Sequence, residues 1–202
     1  MLEDLSKKQM ISLFCLVIVI SGIIGWVYEL FFYYLNSGMK TFYMQGGNFL
    51  PWINIYAWGA LLIIALTYKR RSHPLQVFLI SMISTGIFEY LSGYILYGKL
   101  GWTKCWDYNQ EILNFGNIDG YVCLRSVLVF GICGLALIYI ILPLLSRLVR
   151  IKHTNIIFVI SIVLCSAFLL DEIYNLVIAN IFNLPRASDF YKSLGWKYLV
   201  FK

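Results

Sequence analysis

The sequence contains little charge, and this scarcity excludes an ordinary soluble domain. Only 13% of the 202 residues are Asp, Glu, Lys or Arg, whereas 60% are hydrophobic, and the mean hydropathy is +0.77. A soluble domain usually carries about 25% charged residues. Half that content, together with long apolar runs, indicates a chain for which the lipid bilayer is the solvent.

Several catalytic and nucleotide-binding motifs are also missing. The sequence has no Walker A motif, so an ATPase that works with this protein has to be a separate chain. It has no G-x-S-x-G motif, and both histidines, His73 and His153, fall in basic loops, which leaves a zinc site without ligands. No catalytic residue and no cofactor is therefore predicted, and binding of any other metal stays open.

The five cysteines include no C-x-x-C motif. Three of them lie inside apolar runs, as small core residues often do. Cys105 and Cys123 share one loop and could form a disulfide if that loop faces an oxidising space. The sequence leaves their pairing undecided.

Five apolar runs have about the 20 residues that a membrane-crossing helix needs. They predict an all-α, polytopic membrane bundle in a single integral membrane domain, residues 1–202, with a polar outer loop between the third and fourth helices. The spans are expected at about 10–35, 50–68, 75–97, 121–145 and 156–182. Residues 183–202 mix aromatic residues with lysines, which favours an interfacial segment lying on the bilayer.

The distribution of Lys and Arg favours a cytoplasmic N-terminus in the cell membrane, because cytoplasmic loops are enriched in these residues. The N-terminal side of the spans holds Lys7, Lys8, Lys69, Arg70, Arg71, Arg147, Arg150 and Lys152, whereas the opposite loops hold Lys40, Lys99, Lys104 and Arg125. The tail adds Arg186, Lys192, Lys197 and Lys202 to the opposite side, so the bias is confined to the loops. Topology thus accounts for the net charge of +6, and nucleic acid is not a predicted partner.

Acidic residues recur on the three helices that would run outward. Glu29, Glu89 and the pair 171–172 each lie at or beyond the middle of a predicted span. Arg125 opens the fourth span at its outer end, and Asp107 lies in the outer loop. Charged side chains are costly in hydrocarbon and rarely face lipid. We therefore expect these groups to meet in one polar pocket near the outer surface.

Glycines support an inward orientation of two of these acids. Gly22 and Gly25 precede Glu29 on one helix face, and Gly86 and Gly93 flank the second glutamate in the same way. Small residues let membrane helices approach closely, so both acids are expected at helix contacts. The alternative is that the acids are structural and hold the bundle together through Tyr, Asn, Trp or Arg partners.

The outer loop contributes aromatic and amide groups. The tripeptide 106–108 could place a carboxylate over a pocket mouth or form part of an interfacial aromatic belt. Arg125 could bind a carboxylate or phosphate group, or it could neutralise Glu29 or Glu89. The predicted ligand-binding residues are Glu29, Glu89, Trp106, Asp107, Tyr108, Asn117, Arg125, Asp171 and Glu172.

Five segments resemble a bacterial membrane family named "putative ABC-transporter type IV", the CmpB-like permeases. They are Gly25-Trp26 followed by Glu29, Asn54-Ile55-Tyr56 to Gly59, Phe88-Glu89-Tyr90, Cys105-Trp106-Asp107-Tyr108, and Asn117-Ile118-Asp119-Gly120-Tyr121-Val122-Cys123-Leu124-Arg125. The resemblance covers about residues 22–131. Cys105 stands where the family has a tryptophan. The resemblance implies a bacterial multi-pass membrane protein and a permease, and it assigns no role to individual residues.

Three functions remain open from the sequence. The first is a transport component with an outward-facing acidic pocket for a small molecule or a metal or organic cation, working with an ATPase subunit or as a homo-oligomer. The second is a non-transport assembly or regulatory protein whose polar residues pack helices. The third is a membrane enzyme that acts on lipid headgroups with Glu29, Glu89 or Asp107 as acid or base.

Overall fold

The structure is a computed structural model that describes residues 2–102, 104–151 and 154–199. The predicted all-α membrane bundle is confirmed. Within the described residues there is no β-strand, only two isolated bridges, Met44 with Tyr198 and Ile118 with Val122. The positions that sequence analysis gave to Lys152, His153 and Lys202 lie outside the described residues.

The described part of the chain contains six helices: α1 Lys7–Asn36, α2 Asn54–Thr67, α3 Pro74–Lys99, α4 Leu124–Leu148, α5 Thr154–Phe182 and α6 Ala187–Ser193. The first, third, fourth and fifth are long and apolar enough to cross a membrane. Helix α2 has 14 residues and continues as a 3₁₀ turn, Tyr68–Arg70. It is shorter than the span expected at 50–68 because residues 50–53 belong to the preceding loop.

Local sequence explains where these helices begin and where they distort. Helix α1 starts at a capping box in which Ser6 and Gln9 satisfy each other's backbone amides. Helix α4 contains a π-helical stretch, Leu137–Ile141, which ends two residues before Pro143. The proline has no N–H and its ring clashes with the carbonyl one turn earlier, so the regular hydrogen-bond ladder is interrupted there.

The bundle has two ends of different character. Helices α1, α3 and α5 run from the N-terminal end to the loop end, which carries loops 37–53 and 100–123 and the tail after residue 182. Helix α1 packs against α2 and α5, α2 packs against α3, and α3 packs against α4. Two π-helical stretches, Tyr94–Lys99 and Ile173–Ile178, both lie at the loop end, and such stretches are frequent at functional sites.

An apolar core fills the N-terminal end. It is built around Leu13, Val17, Ile63, Val77 and Leu142, each at most 2% exposed. Outward-facing positions of the long helices are also apolar and are exposed in the isolated chain; Phe31, Ile83, Ile132 and Val163 are examples. Since lipid tails solvate such side chains, this surface fits a bilayer.

Glycines permit close packing at the loop end. A Cβ atom at Gly25 would lie 2.2 Å from the ring of Tyr56, and one at Gly93 would lie 2.8 Å from the side chain of Tyr121. A larger residue at either position would push an aromatic ring out of place. Gly25 thus lies at the expected contact between two helices, whereas Gly93 packs against a residue of the loop before α4.

The tail folds back over loop 37–53. The Tyr191 hydroxyl donates to the carbonyl of Phe49, and the backbone N–H of Gly47 donates to the Tyr198 hydroxyl at 2.7 Å. The tail also carries exposed apolar residues, including Leu194 and Trp196. Contact of this tail with the bilayer interface stays a prediction.

Candidate functional site

A cavity of about 240 Å³ lies at the loop end, and we call it the acidic chamber. Its charged lining residues are four carboxylates and one guanidinium: Glu29, Glu89, Glu111, Glu172 and Arg125. Aromatic side chains form much of the remaining wall: Tyr28, Phe32, Tyr33, Tyr56, Trp58, Phe88, Tyr97, Trp106, Tyr108 and Phe130. The chamber thus combines an excess of negative charge with aromatic faces.

Glu29 has one hydrogen-bond donor beside it in the chamber, as Glu172 has. It lies on α1 beside the Tyr56 hydroxyl of α2. Among the described residues it forms no ion pair with Lys or Arg. A carboxylate removed from bulk water without a cationic partner carries a desolvation cost, so a cation bound beside Glu29 would offset that cost.

Glu89 is tied to the outer loop and to α4. It is 3% exposed, and it is hydrogen-bonded to the Tyr108 hydroxyl through one oxygen and to Ser126 Oγ at 2.8 Å through the other. Burial, followed by the nearby Glu89 charge, raises the pKa of the Tyr108 phenol well above its ordinary value. The phenol therefore keeps its proton and serves as a donor.

Arg125 is paired with Glu111, which sequence analysis did not identify. A guanidinium nitrogen lies 2.5 Å from Glu111 Oε2, and the Tyr33 hydroxyl donates to Oε1 of the same carboxylate at 2.8 Å. The expected pairing of Arg125 with Glu29 or Glu89 is wrong, because Glu111 occupies the guanidinium. Burial raises the pKa of the Glu111 carboxyl, although Tyr33 and the charge of Arg125 oppose the shift.

The neighbouring acids 171 and 172 of α5 face different surroundings. Glu172 lines the acidic chamber and accepts a hydrogen bond from Trp58 Nε1 at 2.8 Å. Asp171 is not among the residues that line the chamber. It accepts four hydrogen bonds of 2.7–3.0 Å, from the backbone amides of Phe49 and Leu50 and from the side chains of Trp52 and Asn175.

Asp107 holds the outer loop together. Its carboxylate lies 2.7 Å from Lys104 Nζ and accepts the backbone N–H of Asn109 at 3.0 Å. Burial would raise the pKa of this carboxyl, but the hydrogen bonds from Lys104 and the Asn109 amide outweigh it and leave the pKa below its ordinary value. The charged form is thus favoured by partners that are already present.

Asn117 also stabilises the loop. Its amide donates to Asn109 Oδ1 at 2.7 Å, and its oxygen accepts the backbone N–H of Gly120 at 2.9 Å. Of the predicted ligand-binding residues, the acidic chamber brings together Glu29, Glu89, Trp106, Tyr108, Arg125 and Glu172. Asp107, Asn117 and Asp171 stand outside its lining.

The cysteines of the outer loop are both free thiols. Cys123 is buried at the start of α4, whereas the Cys105 side chain is accessible and lines the acidic chamber. The disulfide that the sequence left open is not formed in this structure.

Two stacked rings form the floor of the acidic chamber. Tyr56 of α2 and Phe130 of α4 lie with their ring centroids 5.1 Å apart. Both rings also line a smaller apolar cavity of about 70 Å³, which reaches Ile63 and Leu137 further toward the N-terminal end. The stacked pair therefore separates a polar space from an apolar one.

Comparison with known proteins gives one family. A family model described as "Putative ABC-transporter type IV" matches residues 16–176. The matched range includes all the charged residues of the acidic chamber. Searches of curated proteins and of solved structures found no match.

Proposed function

The chain belongs to the "Putative ABC-transporter type IV" family and is a membrane transporter-type protein, and from this premise we propose that it binds a small organic cation in the acidic chamber as the membrane component of a transporter. The observation that carries the proposal is Glu29, a carboxylate without a cationic partner inside an aromatic chamber. A bound ammonium group would offset its desolvation.

The aromatic walls favour an organic cation. An ammonium group within about 6 Å of an aromatic face gains roughly 0.5–2 kcal/mol, and more when it is desolvated. A metal ion needs several converging ligands, and no group of three His, Cys, Asp or Glu residues in the part of the chain that the structure describes is arranged to hold one. All four carboxylates of the chamber are already engaged by hydroxyl, indole or guanidinium donors.

The topology of the chain determines which side of the membrane the acidic chamber faces. The excess of Lys and Arg at the N-terminal end supports a cytoplasmic N-terminus. The loop end, with the acidic chamber, would then face the outside of the cell membrane. Since this chain has no Walker A motif, energy from ATP would come from a partner subunit.

Choline is the probe that tests the proposal. The purified protein, in a maltoside detergent, should bind choline, and Glu29→Gln should weaken that binding at least tenfold while leaving the melting temperature unchanged. Asp119→Asn is the matched control, because Asp119 lies exposed at the same end with a positive φ that Asn tolerates. Equal choline binding by wild type and Glu29→Gln, or no binding by wild type, would refute the site. A lowered melting temperature without any choline binding would instead support the assembly function.

A further inference from the structure

A second cavity of about 220 Å³ adjoins the acidic chamber, and we call it the basic chamber. It lies between loop 45–48, the π-helical stretch of α5 and the tail. Its charged lining residues are Lys104, Arg186, Lys192 and Asp189. Its charge balance is thus opposite to that of the acidic chamber.

Arg186 is the cation of this chamber that is left for a ligand. Lys104 is already neutralised by Asp107 at 2.7 Å, and Lys192 lies exposed at the rim. Asp189 accepts the backbone N–H of Arg186 at 2.9 Å. The Arg186 guanidinium itself forms no ion pair with any residue that the structure describes, and guanidinium geometry suits carboxylates and phosphates.

The two chambers meet along a shared border, because Gly46, Asn54, Cys105 and Leu176 line both of them. Helix α2 begins at this border, and its N-cap, Ile53, provides no side-chain cap for the first amides. The start of a helix favours negative charge. Asn54 Oδ1 is occupied by the Asn48 amide at 2.6 Å, so the NH₂ group of Asn54 is the part that a ligand can use.

Gln45 lines the basic chamber and is 4% exposed. Its Nε2 donates to the carbonyl of Trp26, while its buried Oε1 has no hydrogen-bond partner. Because a carbonyl oxygen only accepts, a water molecule or another N–H or O–H donor would satisfy it, and the anionic group of a ligand would not.

We infer that the two chambers together bind one zwitterionic ligand, with its ammonium group in the acidic chamber and its carboxylate or phosphate group in the basic chamber beside Arg186. This inference rests on the proposed function, because it assumes that the acidic chamber takes a cation. Each chamber is smaller than the roughly 300–1,000 Å³ of a drug-sized pocket. Each therefore suits one polar group of a small ligand.

Binding measurements on the full chain in a maltoside detergent test the inference, with choline, glycine betaine and phosphocholine as probes. We expect at least one of the two zwitterions to bind tenfold or more tightly than choline. Arg186→Gln should remove this advantage and leave choline binding unchanged. Lys197→Gln is the matched control, since Lys197 is exposed and lines neither chamber.

The outcomes separate the inference from the proposed function. If choline binds and neither zwitterion binds more tightly, the inference is overturned and the cation site stands. If none of the three probes binds, both are overturned. An unchanged zwitterion preference in a folded Arg186→Gln variant also overturns the inference.

Cys105 provides a second measurement that needs no variant. Of the cysteines that the structure describes, it alone is exposed, and it lies at the shared border. A zwitterion that spans both chambers should slow alkylation of Cys105 by a hydrophilic maleimide at least fivefold more than choline does at equal occupancy. Equal protection by choline and the zwitterions counts against a ligand that reaches the basic chamber.

The same ligand chemistry occurs in soluble solutes and in lipid headgroups, and one further probe distinguishes them. Dihexanoylphosphatidylcholine, presented as a monomer, carries the phosphocholine group with short acyl chains. Tighter binding than phosphocholine would assign the site to lipid headgroups. Weaker or equal binding would assign it to a soluble zwitterion.

Discussion

Asp171 and Glu29 are both carboxylates within long apolar helices, yet their surroundings are opposite. Asp171 accepts four hydrogen bonds that fasten loop 37–53 to α5. Glu29 lies in a cavity and has the Tyr56 hydroxyl beside it. An acid in a membrane helix is therefore not in itself a binding site. An acid whose oxygens already accept several hydrogen bonds stabilises the fold. An acid with few such donors can still bind a ligand.

The largest effect is expected from Asp171→Asn. The substitution puts an NH₂ group against backbone and indole donors, and hydrogen bonds to a charged acceptor contribute about 1.5–3 kcal/mol each. We expect a loss of about 4 kcal/mol in stability, measured as reversible denaturation in detergent or as a fall in melting temperature. Glu29→Gln, the matched acid-to-amide change, should alter stability by less than about 0.5 kcal/mol. Equal losses in the two variants would remove the distinction between these acids.

An intermediate effect is expected from Glu111→Gln. The variant leaves the Arg125 guanidinium without its charged partner, in a site where the two side chains are 11% and 1% exposed. Breaking a buried ion pair costs about 3–5 kcal/mol, and we expect about 3 kcal/mol because the glutamine oxygen still accepts one hydrogen bond. Thermal unfolding in detergent measures this loss of stability. When Arg125→Gln is added to the Glu111→Gln variant, stability should fall little further, because the ion pair is already broken. Full additivity of the two losses would contradict the pairing.

The smallest effect is expected from Asp107, and it depends on pH. The folded-state pKa of this carboxyl is lowered, so its contribution to stability is complete above the unfolded-state value of about 3.9 and is lost as the pH falls through the folded-state pKa. Fluorescence of the adjacent Trp106 should therefore change below about pH 4. Asp107→Asn should remove that transition and cost about 1 kcal/mol at neutral pH. An acid transition that persists in the variant would assign it to another group.

Much of the fold could be predicted from the sequence, because a bilayer demands apolar runs of about 20 residues. The four long helices lie within a few residues of the expected spans. Helix α2 differs, since the start of its predicted span is held as loop by Asp171, a contact over 119–122 residues of sequence. Such a contact leaves no trace in the local pattern of hydrophobic residues.

The site was predictable only in part, for a similar reason. The glycines near Glu29 and Glu89 correctly indicated helix contacts, and both acids line the acidic chamber. Glu111 lies in an irregular loop where no periodicity singles it out, and its partner Tyr33 is 78 residues away in sequence. Helical geometry separates residues 171 and 172 by about 100°, so only the tertiary packing decides which of the two reaches the cavity.

The Tyr56–Phe130 stack has a consequence for movement across the bilayer. A molecule that enters from the loop end meets two aromatic rings, whose centroids lie 5.1 Å apart, before it reaches the small apolar cavity on their other side. Onward passage would require the rings to swing apart and α2 and α4 to shift with them. If the proposed transport takes a ligand across the bilayer, its cycle therefore includes at least one further arrangement of these two helices.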